Sequence, residues 1–108
     1  MDVRSSEQNG ITLIQVSGEI NISTSPDLKK VFEKEAKKKI VVDLTKVSYV
    51  DSSGLATLVE MLKKTKSQGG SLCLAGMSEK VKSLFEITKL DRLFSIVSSA
   101  DEAVSKLQ

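Results

Sequence analysis

The chain has 108 residues, 40% hydrophobic and 28% charged, enough for one domain spanning 1–108 to bury a core without metal or disulfide staples. Sixteen basic residues against fourteen acidic ones leave a net charge of +2, too balanced to argue for direct nucleic-acid binding or an anionic membrane surface. Aromatics at 4% with no Trp disfavour base-stacking platforms, and the absence of His removes the usual general base and the commonest metal ligand together.

Cys73 is the only cysteine, so no internal disulfide forms, which suits a reducing compartment. It stands between Leu72 and Leu74 in a strand pattern and reads as a small core residue. No apolar run reaches membrane-spanning length, and Met1-Asp2-Val3-Arg4 lacks the pattern of a signal peptide, so a cytoplasmic location is expected.

Residues 3–8 form a strand candidate, and Asn9-Gly10 is a two-residue hairpin signal. Ile11 to Val16 reads as a half-buried strand ended by Gly18. Ser23-Thr24-Ser25-Pro26-Asp27 opens a helix with a hydroxyl cap, Pro just inside and an acid in the first turn. Leu28, Val31, Phe32 and Ala36 then give one apolar face. Six lysines between Lys29 and Lys39, interrupted by Glu33 and Glu35, read as its solvated face rather than a binding patch.

Ile40-Val41-Val42-Asp43-Leu44 is a strand covered on both sides, and the chain from Thr45 to Asp51 links it to the next helix. Leu55, Leu58, Val59 and Leu62 mark that helix, and Gln68-Gly69-Gly70 stops it. Ser71 to Ala75 is a further strand. Ser78 caps a helix with Val81, Leu84, Phe85 and Thr88 on one face. Phe94 to Val97 is the last strand, and Ser99 with Glu102 spells a capping box for a final helix. A hairpin followed by α-β-α-β-α-β-α predicts an α/β fold: a mixed, largely parallel sheet with about four helices packed on it.

The turn Asp51-Ser52-Ser53-Gly54 falls at the carboxyl end of a strand, where such sheets carry function. It sets two hydroxyls at a helix start, where unpaired N–H groups and the helix dipole accept a phosphate. The same residues also make an ordinary cap, and local pattern alone leaves both readings open. Without His or a G-x-S-x-G elbow, nothing specific activates a nucleophilic serine.

Across nearly its whole length the chain resembles the anti-sigma factor antagonists, the small bacterial proteins that define the STAS domain. The resemblance runs through Gly18-Glu19-Ile20, Val41-Val42-Asp43-Leu44 and Val50-Asp51-Ser52-Ser53-Gly54-Leu55. It continues through Gln68-Gly69-Gly70, the Ser78 to Phe85 helix, Thr88-Lys89-Leu90 and Phe94. Asp-Ser-Ser-Gly-Leu is the specific part.

The resemblance implies that Ser52 is the phosphoacceptor of a partner switch. The unphosphorylated protein would bind an anti-sigma factor, itself a serine kinase with a histidine-kinase-like ATPase fold, and free a sigma factor. Phosphorylation would end that binding, and a metal-dependent serine phosphatase would reset it. ATP and Mg²⁺ belong to the kinase, so this chain is expected to be a substrate and ligand without a cofactor, not an enzyme. Asp51 is expected to orient the acceptor hydroxyl or meet the kinase, or else to cap the turn. Ser53 is a candidate for the helix cap, leaving Ser52 free, and Gly54 permits close approach of the partner or phosphate. The family commonly has Asp where this chain has Asn21, which keeps the hydrogen bonding and loses the charge. Lys89 stands where glycine is common.

Phosphorylation would add roughly −1.5 to −2 charges beside Asp51. The expected effect is repulsion and bulk at the partner surface rather than unfolding. Two other readings remain. One is a STAS-type scaffold in another signalling or transport complex, from which an intact Asp-Ser-Ser-Gly turn argues away. The other is a small nucleotide-binding protein, which lacks the usual glycine-rich loop and lysine.

Overall fold

In the computed structural model, which describes residues 1–35 and 38–108, ten elements follow one another. They are β1 (Asp2–Gln8), β2 (Ile11–Ile20), α1 (Ser25–Glu35), β3 (Lys39–Val50), α2 (Ser52–Ser67), β4 (Ser71–Ala75), α3 (Glu79–Ile87), a 3-10 turn (Leu90–Arg92), β5 (Ser95–Val97) and α4 (Ala100–Leu107). The strands form one sheet in the order β1-β2-β3-β4-β5, with β1 antiparallel to β2 and every other pair parallel. The mixed sheet with an N-terminal hairpin and four helices is as expected. The hairpin turn takes positive φ at both Asn9 (53°) and Gly10 (80°), the geometry that suits the twist of flanking strands.

The sheet has two unequal faces. Ile14, Val16, Ile20, Val42, Leu44 and Val50 pack against α1, α2 and α3 in the larger core, where Leu28, Phe32, Leu58, Met61 and Phe85 are buried. Phe85 and Phe94 close its far side edge to face, 5.6 Å apart and inclined at 74°. Ile11, Val41, Cys73 and Ala75 face the other way beneath Ala103 and Val104 of α4. Cys73 is fully buried in this small core, and burial pushes its thiol pKa up.

Two strands are longer than expected. β2 passes through Gly18 (φ 97°) to Ile20, and β3 passes Leu44 to reach Val50. Their pairing carries register shifts between Gln15 and Ser17 and between Gly18 and Glu19. Each shift breaks the period-two alternation, so Val47 and Val50 are both buried though three residues apart. The segment expected to be a connection is therefore strand, and α2 follows it after Asp51 alone.

On α2 the buried face includes Met61, while Val59, expected there, is only partly covered. Leu28 and Phe32 of α1 are buried and Val31 packs beside them; Ala36, expected on the same face, lies outside the described residues. Ser78 caps α3 through the Val81 N–H (3.2 Å). Ser99 accepts from the Glu102 N–H (3.1 Å), but Glu102 returns to the N–H and hydroxyl of Ser98, one residue earlier than a reciprocal box would have it. Lys89 has φ 62°, a left-handed conformation that glycine adopts more readily.

Candidate functional site

Asp51, Ser52, Ser53, Gly54 and Asn21 come together where β2 and β3 end and α2 begins. Ile20 and Val50 are the last paired residues of their strands, and the Asp51 N–H continues the ladder to the Ile20 carbonyl (3.0 Å). The cap of α2 is Asp51, not Ser53: Oδ1 accepts from the Gly54 N–H (2.9 Å), and the backbone carbonyl accepts from Leu55 (2.9 Å). Asp51 wins that place because strand pairing holds it extended (φ −89°, ψ −177°) beside three free N–H groups, as a cap residue must be. A carboxylate there also meets the positive end of the helix dipole.

Ser52 is consequently the first residue inside α2, and it is exposed. Among the described residues its hydroxyl has no hydrogen-bond partner, and the N–H groups of Ser52 and Ser53 have no acceptor. An unencumbered hydroxyl thus stands beside two unpaired donors on a 16-residue helix. Ser53 is half-buried in the same turn.

Gly54 is buried, and the close approach it permits is that of the chain's own backbone. A Cβ at Gly54 would lie 2.5 Å from the Ile20 carbonyl oxygen and 2.7 Å from Val50 Cγ1. Any side chain at this position would push α2 off the ends of β2 and β3.

Asn21 organises the facing loop. Its Oδ1 accepts from the N–H groups of Ser23 (3.0 Å) and Thr24 (3.1 Å), and its carbonyl accepts from Thr24 and Ser25. Its Nδ2 extends toward Glu19 Oε1 at 3.5 Å, a contact that a carboxylate at position 21 would turn into repulsion. The Thr24 hydroxyl donates to the Glu19 carbonyl (2.8 Å) and accepts from the Asn21 N–H (2.8 Å). Asp51 then joins this loop to the helix: its second oxygen, Oδ2, accepts from the Ile22 N–H at 3.3 Å.

Ile22 was not singled out from the sequence, yet its side chain is 74% exposed on that loop. An isolated apolar residue between Asn21 and Ser23 carries no periodic signal, so only the folded loop reveals it. Lys80, in the first turn of α3, lies 5.3 Å above the ring of Tyr49, two residues before Asp51. Among the described residues no group of His, Cys, Asp or Glu is placed to hold a metal ion.

Residues 2–103 match the model of the STAS domain family. The chain belongs to that family. It is 41% identical over 86 residues to an anti-sigma-B factor antagonist of Listeria monocytogenes, covering 77% of this chain and 75% of the relative. An anti-sigma-B factor antagonist of Staphylococcus aureus is 31% identical over 99 residues, covering 89% of this chain and 92% of the relative. Among solved structures, a Thermotoga maritima protein described as an anti-sigma factor antagonist superposes with a TM-score of 0.90 at 28% identity, covering 97% of this chain and 93% of that one. As a STAS domain the chain thus stands, in sequence and in fold, among the antagonists of anti-sigma factors.

Proposed function

We propose that this STAS domain is an anti-sigma factor antagonist that binds an anti-sigma factor with serine-kinase activity and is switched off by phosphorylation of Ser52. The observation that carries the reading is the free, exposed Ser52 hydroxyl at the start of α2, in a chain whose relatives are named for this antagonism. Binding the kinase would free a sigma factor, in the cytoplasm, with no direct contact to DNA.

In the transfer step Ser52 Oγ attacks the γ-phosphorus of the kinase's ATP. The Oγ–P bond forms, the bond to the β-phosphate oxygen breaks, ADP leaves and the hydroxyl proton passes to a base on the kinase or to water. Mg²⁺ comes with the nucleotide. Asp51 holds the acceptor turn in place through Gly54 and Ile22. The N–H groups of Ser52 and Ser53 offer the phosphate two donors, so the modified turn needs little refolding. Asn21 shapes the facing loop, and a serine phosphatase restores the hydroxyl.

The test uses wild-type protein and Ser52→Asp as paired baits, with mass spectrometry of captured proteins and of the incubated bait. Retention by wild type alone of an anti-sigma kinase, with ATP-dependent gain of one phosphoryl group at Ser52, is the expected result. Equal retention by both baits, or phosphorylation elsewhere, sinks the switch and leaves Ser52 as the first residue of a capped helix.

A further inference from the structure

We infer that Ile22 is the apolar anchor by which this chain docks on its anti-sigma kinase, an inference that rests on the functional reading above. Its side chain is 74% exposed, while its backbone N–H and the residues on either side of it are held by hydrogen bonds. The Ile22 N–H donates to Asp51 Oδ2, and Asn21 before it accepts from Ser23, Thr24 and Ser25 after it. A β-branched side chain on a loop held this way is stiff before any partner arrives. Pre-organised apolar groups lose little conformational entropy on binding and make effective anchors. The residue that holds Ile22 in place is the immediate neighbour of Ser52, so anchor and phosphoacceptor share one rigid mount.

The charge around the anchor selects the occupant. Residues 17–28 and 47–57, the two segments that meet here, carry Glu19, Asp27 and Asp51 and contain no Lys or Arg of their own, although Lys29 and Lys46 flank them and Lys80 of α3 reaches over the Tyr49 ring. Glu19 and Asp27 are exposed. The fitting surface is a protein face with an apolar socket for one isoleucine and a cationic rim opposite those two acids. Ser52 must at the same time reach the γ-phosphate of the partner's ATP. A phosphate on Ser52 therefore meets the nucleotide's own phosphates, so acidity at the rim favours docking while phosphorylation opposes it.

The molecule supplies its own control. Ile87 is 78% exposed, but it ends α3, which starts at the carboxyl end of β4 and runs back toward the start of β5, away from Ser52. The test measures affinity for the purified anti-sigma kinase, and steady-state phosphorylation of Ser52, for wild type, Ile22→Ala, Ile22→Leu and Ile87→Ala. Matching melting temperatures show that each variant is folded.

Ile22→Ala is expected to weaken binding about tenfold or more and to act through KM with kcat near wild type. Ile22→Leu should retain most of the affinity, and Ile87→Ala all of it. Wild-type affinity should fall as salt rises. Wild-type affinity in Ile22→Ala, while Ser52→Asp fails to bind, overturns the anchor and leaves the functional reading standing. Salt-insensitive binding overturns the cationic rim. Failure of wild type to bind or be phosphorylated by the kinase overturns both readings together.

Discussion

The Asp51 carboxylate binds the Ile22 N–H at 3.3 Å across 29 residues of chain, while its other oxygen caps α2 at Gly54, 2.9 Å away. One side chain thus fixes the acceptor turn and the loop facing it, and its loss must be felt by both. Asp51→Ala should lower stability by about 1–2 kcal/mol, the range for a lost helix cap. Amide exchange at Ile22 and Gly54 should quicken by more than global unfolding explains. Asp51→Asn, which keeps one acceptor oxygen, should fall between. Exchange at Ile22 unchanged in Asp51→Ala would show that the loop holds itself.

Gly54→Ala is expected to be costlier, because the new Cβ meets backbone. The Ile20 carbonyl would lie 2.5 Å away, and Val50 and Ile20 side-chain carbons under 3.0 Å, so α2 has to shift at its origin. A loss of ~2–3 kcal/mol follows from comparable overpacking in cores. Chemical denaturation measures it, and a change below ~0.5 kcal/mol would mean that the β2–α2 junction yields easily.

The start of α4 should respond to acid. Hydrogen bonds from the Ser98 hydroxyl and N–H hold the Glu102 pKa below its ordinary value of 4.5. A carboxylate whose folded pKa is depressed contributes stability above its unfolded pKa and loses it as pH falls through the folded value. The contribution is therefore complete at neutral pH and fades as pH drops below about 4.5. Wild type should lose more stability across that window than Glu102→Gln, and parallel acid profiles would contradict the role of Ser98.

Lys89 offers the opposite kind of substitution. At φ 62° a side chain crowds its own carbonyl, at a cost of roughly 1–2 kcal/mol, part of which glycine returns as unfolded-chain entropy. Lys89→Gly should raise the melting temperature by a few degrees, about what a gain under 1 kcal/mol brings for a domain near this size. A lower melting temperature would show that contacts of the lysine stem outweigh the strain.

Much of this molecule was legible in advance. Ser71 to Ala75 as a strand, Ser78 and Ser99 as caps and Asn9-Gly10 as a hairpin turn all depend on local chemistry, and each lies where it was expected. β3 was cut short because its pairing with β2 slips twice, and a slipped register erases the alternation by which a strand is recognised. Ser53 was the wrong cap for a related reason. Once β3 runs to Val50, Asp51 is already extended beside the free N–H groups, and the helix begins two residues sooner than a Ser53 cap would have it.

Sequence alone determined that strands and helices alternate and that Asp51-Ser52-Ser53-Gly54 opens a helix, since these follow from side-chain spacing and local backbone preference. Ser52 was marked out from Ser53 by the family resemblance, not by that local pattern. Tertiary structure alone decided that Asp51 serves two segments, that Gly54 is required by Ile20, and that Ile22 stands exposed on the loop that Asp51 holds. Those relations join residues about thirty positions apart, and no local pattern encodes a distance that exists only after β2 and β3 have paired.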